Sequence, residues 1–168
     1  MSRELFLVRH AEANSTNFDI KDIDRPLTSD GEIDASKLGK TMSDLFGTPD
    51  LILSSTALRT RTTTAMVAEQ LGYDPVNIDF LEDLYESSTR ILLRVINELD
   101  DKNNKVVIVA HNPAITYLAE YVSGDVIGNV SPAGLVHLKF DGATWAEISK
   151  GNMELVKYHR PVRTEQGQ

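Results

Sequence analysis

Hydrophobic positions along the chain fall into two kinds of run. Leu5-Phe6-Leu7-Val8, Leu51-Ile52-Leu53 and Val106-Val107-Ile108-Val109-Ala110 are short, continuous and rich in β-branched or aromatic residues. Such runs predict strands buried on both faces, as in a parallel sheet covered by helices. Between them, apolar residues recur at helical spacing. After an N-cap at Thr28, with Asp30 and Glu32 in the first turn, Ile33, Leu38, Met42, Leu45 and Phe46 give an apolar face that runs to Gly47. Helices are also expected over residues 57–71, stopped by Gly72, and over 89–99, with Ile91, Leu92, Val95, Ile96 and Leu99 facing inward. Another covers 114–122, with Pro113 in its first turn and Ser123-Gly124 at its end. A weaker strand is expected at 76–81. Residues 134–140 and 144–149 flank Asp141-Gly142, the strongest hairpin signal in the chain.

Strands alternating with helices, followed by a hairpin, predict an α/β fold: a three-layer α/β/α sandwich on a mixed, mostly parallel sheet. At 168 residues the chain reads as one domain, residues 1–161, with 162–168 as a polar, flexible tail. The stretch from about Met153 onward is polar and reads as frayed. No apolar run approaches the length of a membrane span, and the N-terminus does not resemble a signal peptide. There is no cysteine, which excludes disulfides and thiolate metal sites and agrees with a cytoplasmic location. The net charge of −8 argues against a nucleic-acid partner, so any anion pocket must be a local positive spot on an acidic surface.

The predicted layout gathers particular side chains at one edge. In open α/β sheets, ligands bind beyond the carboxyl ends of the strands. There the first strand delivers Arg9-His10, the second Ser54-Ser55 with Arg59 one turn on, and the fourth His111-Asn112 at a helix N-terminus. Planar guanidinium groups grip two phosphate oxygens at once. A neutral imidazole can attack phosphorus and carry the group covalently, while a second, protonated one can donate to an oxygen where charge builds. The constellation suits phosphoryl capture. A lone histidine at a strand end is usually structural; two with matched arginines reverse that balance. His137 and His159 read as structural; Arg25, Arg61 and Arg90 are able to rim the pocket but read first as solvated. Ser54 and Ser55 read as shaping the turn, with no base placed for them by sequence. No carboxylate or thiol completes a zinc set around the histidines, so no metal or other cofactor is expected.

Arg9-His10-Ala11-Glu12-Ala13, Asp24-Arg25-Pro26-Leu27-Thr28, Ser55-x-x-x-Arg59-x-x-x-Thr63 and His111-Asn112-Pro113 occur in an order that resembles the histidine phosphatase superfamily, which includes the phosphoglycerate mutases. The closer likeness, over about residues 3–161, is to its small phosphohistidine phosphatase branch, the SixA-like proteins. Thr56 and Thr62 stand where relatives usually have proline and often have glutamine. The resemblance implies that His10 is phosphorylated and that Arg9, Arg59 and His111 bind the phosphoryl oxygens, with Asn112 beside them. The general acid has no clear signature: Glu82 lies nearest the expected position, with Asp83 and Glu86 as rivals. Imidazole leaves easily once protonated near its pKa of about 6.5, whereas an alkoxide needs an acid far more. A weakly marked acid therefore favours phosphohistidine over phosphate esters. So does the short stretch between Tyr85 and Thr89, which leaves no room for the helical cover of the mutases. The expectation is a metal-independent phosphatase acting on a phosphohistidine-bearing phosphotransfer or signalling protein. The alternatives are a phosphomonoesterase for a metabolite or phosphopeptide, and a phosphate-binding module without turnover.

Overall fold

The computed structural model describes residues 2–15 and 19–162. Six strands form one sheet: β1 (Arg3–Arg9), β2 (Leu51–Ser55), β3 (Asp79–Leu81), β4 (Lys105–Ala110), β5 (Leu135–Phe140) and β6 (Glu154–His159). Their spatial order is β3-β2-β4-β1-β5-β6. The first four pair in parallel; β5 and β6 run antiparallel at the other edge. Central β1 shows why this is a three-layer fold. Leu5 and Leu7 point into the core beneath α3 (Thr89–Asn97) and α4 (Ala114–Ser123). Phe6 and Val8 point into the core beneath α1 (Ser29–Phe46) and α2 (Leu58–Leu71). Both faces are dry, so the strand reads as a continuous apolar run.

Local signals at helix ends hold where the chemistry is specific. Thr28 caps α1 by accepting from Gly31 N–H, and Gly47, at φ 73°, ends it. Glycine is required at 31: a Cβ there would sit 2.2 Å from the Glu12 carbonyl oxygen, which itself accepts from Thr28 N–H. The start of α1 is thereby pressed onto the segment that leaves β1. The expected apolar face of α1 is partly wrong. Ile33 and Leu45 are exposed, and Gly31, Ala35 and Gly39 join Leu38 and Met42 inside, because α1 packs tightly against α2 at Gly39, opposite Val67 and Gln70.

Three expectations at the sheet edges are corrected. The weak strand at 76–81 is a 3-10 turn at Pro75–Asn77 followed by the short edge strand β3. The partner of β5 is β6, not 144–149, and the polar stretch after Met153 is strand where it was expected to fray. The physical reason lies in Trp145. Its ring is fully buried, its indole N–H donates to Asn103 O, and its backbone N–H donates to Asp101. Asn97 at the end of α3 donates to the Trp145 and Ile148 carbonyls. These anchors hold residues 145–147 as a 3-10 turn against α3 and outweigh the hairpin preference of Asp141-Gly142. The tail expected at 162–168 lies, from residue 163 on, outside the described residues.

Candidate active site

The carboxyl ends of β1, β2 and β4 open onto a cavity of about 380 Å³. Parallel register aligns Arg9 with Ala110, so His10 and His111 leave adjacent strands at the same level. Their ring centroids are 5.1 Å apart. Both residues are less than a tenth exposed.

Hydrogen bonding fixes the state of His10. Its Nδ1 lies 2.7 Å from the Ala11 carbonyl oxygen, which can only accept, so Nδ1 carries the proton. The lone pair is thus on Nε2, which makes no hydrogen bond among the described residues. Burial is the main cause of a pKa lowered to about 4, helped by the charges of Arg59, Arg9 and Arg25 and opposed by the Ala11 carbonyl. His10 is therefore a neutral imidazole with a free lone pair at neutral pH.

His111 sits against α2, with Nε2 2.7 Å from Ser55 Oγ and 3.3 Å from Thr60 Oγ1. Burial first, then His10 and Arg59, lower its pKa to about 3. In the free protein it is neutral, whereas the sequence reading allowed a protonated donor; an arriving dianion would favour the proton. Ser55 also proves to be placed against an imidazole, which the sequence reading did not anticipate.

The spacing Ser55-x-x-x-Arg59-x-x-x-Thr63 sets three groups along one side of α2. Ser55 meets His111, Arg59 reaches the cavity, and Thr63 Oγ1 accepts from Ala11 N–H while donating to the Arg59 carbonyl. The two guanidinium groups are only partly engaged. Arg9 donates from Nη1 to Val130 O, and Arg59 donates from Nη1 and Nη2 to the Asp22 carbonyl and carboxylate. The Nε atoms of both are buried without a hydrogen-bond partner among the described residues. Buried unsatisfied donors are costly in a folded protein unless a ligand completes them.

Asn112 lines the cavity, but its amide is committed: Nδ2 donates to Asn129 and Val130, and Oδ1 accepts from Thr116. It ties the start of α4 to residues 129–130 at the edge of the cavity. The three candidate acids separate. Glu86 lines the cavity; Asp83 pairs with Arg94 on the surface; Glu82 is exposed and outside the cavity lining. Arg25, expected to be solvated, lines the mouth and pairs with Asp22. Arg61 is exposed over the Phe80 ring, and Arg90 is exposed. Among the described residues, no three His, Asp or Glu side chains form a group able to hold a metal ion.

Asp22 and Tyr85 went unnoticed in the sequence. The Asp22 carboxylate accepts from Arg25, Arg59 and the Tyr85 hydroxyl, which together lower its pKa to about 2, Tyr85 contributing most. The Tyr85 ring meets His111 edge-on at 5.7 Å. The only local signals were an acid three positions before Arg25 and an aromatic residue after the third strand.

His137, read as structural, is buried beneath Phe46 and 3.3 Å from Glu4, far from this cavity. A second depression of about 360 Å³, between α1 and the stretch after β6, contains His159 but not the paired histidines.

Comparison with known proteins places this geometry. Residues 5–92 match the family described as Histidine phosphatase superfamily (branch 1). A chloroplastic protein of Arabidopsis thaliana, itself uncharacterised, is 31% identical over 155 residues, covering 88% of this chain and 71% of the relative. Among solved structures, a candidate phosphohistidine phosphatase SixA from Nakamurella multipartitia superposes with a TM-score of 0.82 at 26% identity, over 97% of this chain and 98% of that one. A protein histidine phosphatase SixA complexed with tungstate gives 0.80 at 19% identity, over 94% and 97%. The second of these likenesses bears on the fold alone. No helix among the described residues is long and apolar enough to cross a membrane.

Proposed function

The chain belongs to the histidine phosphatase superfamily, branch 1, and on that premise we propose that it is a metal-independent phosphatase whose substrate is phosphohistidine on a protein. The observation that carries this reading is the pairing of a neutral His10, its proton held on Nδ1 by Ala11, with two buried guanidinium Nε–H groups, from Arg9 and Arg59, that have no hydrogen-bond partner among the described residues. One group supplies a lone pair; the others supply donors for the oxygens around phosphorus.

The reaction has two steps. His10 Nε2 attacks phosphorus in line as the bond to the leaving group breaks. Arg9, Arg59 and His111 hold the three peripheral oxygens, and His111 gains basicity as negative charge approaches it. Water then attacks phospho-His10, releasing inorganic phosphate and restoring the neutral ring. The short connection at residues 85–88 leaves the mouth without a helical cover among the described residues, which suits a side chain presented by another protein. Candidate SixA proteins with this fold support the phosphohistidine assignment by analogy.

The test is a trapping experiment with a labelled phosphodonor. Acid-labile, alkali-stable label should appear on His10, and His10→Ala should lose both the label and turnover by about 10³-fold or more. Turnover retained by His10→Ala would remove the proposal. A panel of phosphohistidine protein, phosphoserine peptide and sugar phosphates decides the substrate class, with the first expected to be hydrolysed fastest.

A further inference from the structure

The cavity is electrically two-sided. Its floor carries Arg9, Arg59 and the paired imidazoles, while at its mouth, among the described residues, the three carboxylates of Glu12, Asp22 and Glu86 outnumber the one cation, Arg25, which pairs with Asp22. A phosphoryl group seated on the floor therefore directs its leaving group toward carboxylates. Asp22 is the best fixed of these. Oδ2 accepts from Arg59 at 3.2 Å and from the Tyr85 hydroxyl, and Oδ1 accepts from Arg25 at 3.0 Å. A carboxylate oxygen can take two donors, so Oδ1 retains one acceptor position among the described residues. The side chain is 56% exposed, so that position is open to a ligand. Beside it, the Tyr85 ring stands between Arg59, 6.0 Å from its centroid, and His111. A flat aromatic wall next to an anchored carboxylate is the combination that receives a planar cationic ring.

We infer that Asp22 and Tyr85 form the leaving-group subsite and select phosphoryl donors in which phosphorus is bound to a ring-protonated nitrogen heterocycle over those whose leaving group departs as an oxyanion. The inference rests on the phosphatase reading above and supplies the specificity that reading lacks. In a ring-protonated phosphoimidazole the P–N bond breaks as the P–Nε2 bond to His10 forms. The electron pair of the broken bond stays on the departing nitrogen. The proton on the distal nitrogen remains there, so the ring leaves as neutral imidazole and no external acid is consumed. Asp22 accepts the distal N–H and favours the protonated, reactive form of the donor. An aryl or alkyl phosphate instead brings negative charge onto its leaving oxygen at the mouth, where Asp22 opposes it. Asp22, tied to the cavity by Arg59, Arg25 and Tyr85, is ionised throughout the neutral range.

The experiment compares kcat/KM for phosphoimidazole and for 4-nitrophenyl phosphate in the wild-type chain and in Asp22→Asn. Asp22 lies in a 3-10 turn with no buried residue, so the variant folds. The ratio of the two values should fall by about tenfold or more, the size of a modest proton-transfer contribution. The pH at which phosphoimidazole turnover declines on the alkaline side should also move lower, since the donor ring loses the carboxylate that favours its proton. If both substrates slow in parallel with the ratio unchanged, Asp22 only positions Arg59 and the inference is overturned. The underlying reading fails differently, through a wild-type chain that does not hydrolyse phosphoimidazole at all.

Discussion

The floor and the mouth of the cavity are built by different means. Floor groups sit on strand ends and the first turns of α2, and His10, His111 and Arg59 are each less than a tenth exposed. Mouth groups come from the connection after β1 and the turn after β3, and the 3-10 turn holding Asp22 buries no residue of its own. The floor is preorganised by the sheet and suits a reaction that needs fixed donors at phosphorus. The mouth is held by turn and loop hydrogen bonds, backbone and side-chain, outside the sheet, and loops of this kind can vary without disturbing a core. Under the proposed function, reaction type rests on the scaffold and substrate choice on the loops.

The sharpest break in this comparison is at Arg59, which belongs to the floor yet is gripped by the mouth. Arg59→Ala should lower kcat/KM for every phosphodonor by about 10²-fold, as expected for removal of one oxyanion donor. A loss confined to one substrate class would place Arg59 with the mouth.

Acid titration separates the two regions by pH window. His10 and His111 have folded-state pKa values of about 4 and 3, below the 6.5 of an unperturbed histidine. Their neutral forms stabilise the fold fully above pH 6.5, and that stability is lost as pH falls, because the unfolded chain takes up protons first. Asp22 is lowered from 3.8 to about 2, so its smaller, solvent-screened contribution is present above pH 3.8 and fades as pH falls from there to about 2. Urea unfolding midpoints should therefore decline between pH 6.5 and 4, and His10→Gln should flatten that decline. A midpoint independent of pH over this window would contradict the buried neutral imidazoles.

The smallest effect belongs to Glu82. Its side chain is exposed and outside the cavity lining, so Glu82→Gln should change kcat by no more than about twofold, within the usual reach of a surface substitution. A tenfold loss would restore it as the general acid.

Legibility followed the same division. Strands β1, β2 and β4 were readable because burial on both faces forces continuous apolar runs, and Thr28 and Gly47 were readable as caps because each answers one backbone requirement. Arg9, His10, Arg59 and His111 were readable because each follows a strand at a short, fixed interval. The second partner of β5 was not. Asp141-Gly142 is a sound local signal, but it was overruled by Trp145 and Asn97, whose contacts span more than 40 residues of sequence. Asp22 and Tyr85 were invisible for a similar reason: their bond joins positions 63 residues apart, and neither carries a local mark of its role.

The amino-acid order by itself determined the layered fold, the family and the identity of the four floor residues, since periodicity and strand-end position are local consequences of burial and chain geometry. Tertiary structure alone decided which imidazole nitrogen keeps its proton, that both rings are neutral, that Asn112 braces a loop, and that Asp22 with Tyr85 guards the opening. Those outcomes depend on distances between remote segments, on how deeply each charge is withdrawn from water, and on which donors compete for one acceptor.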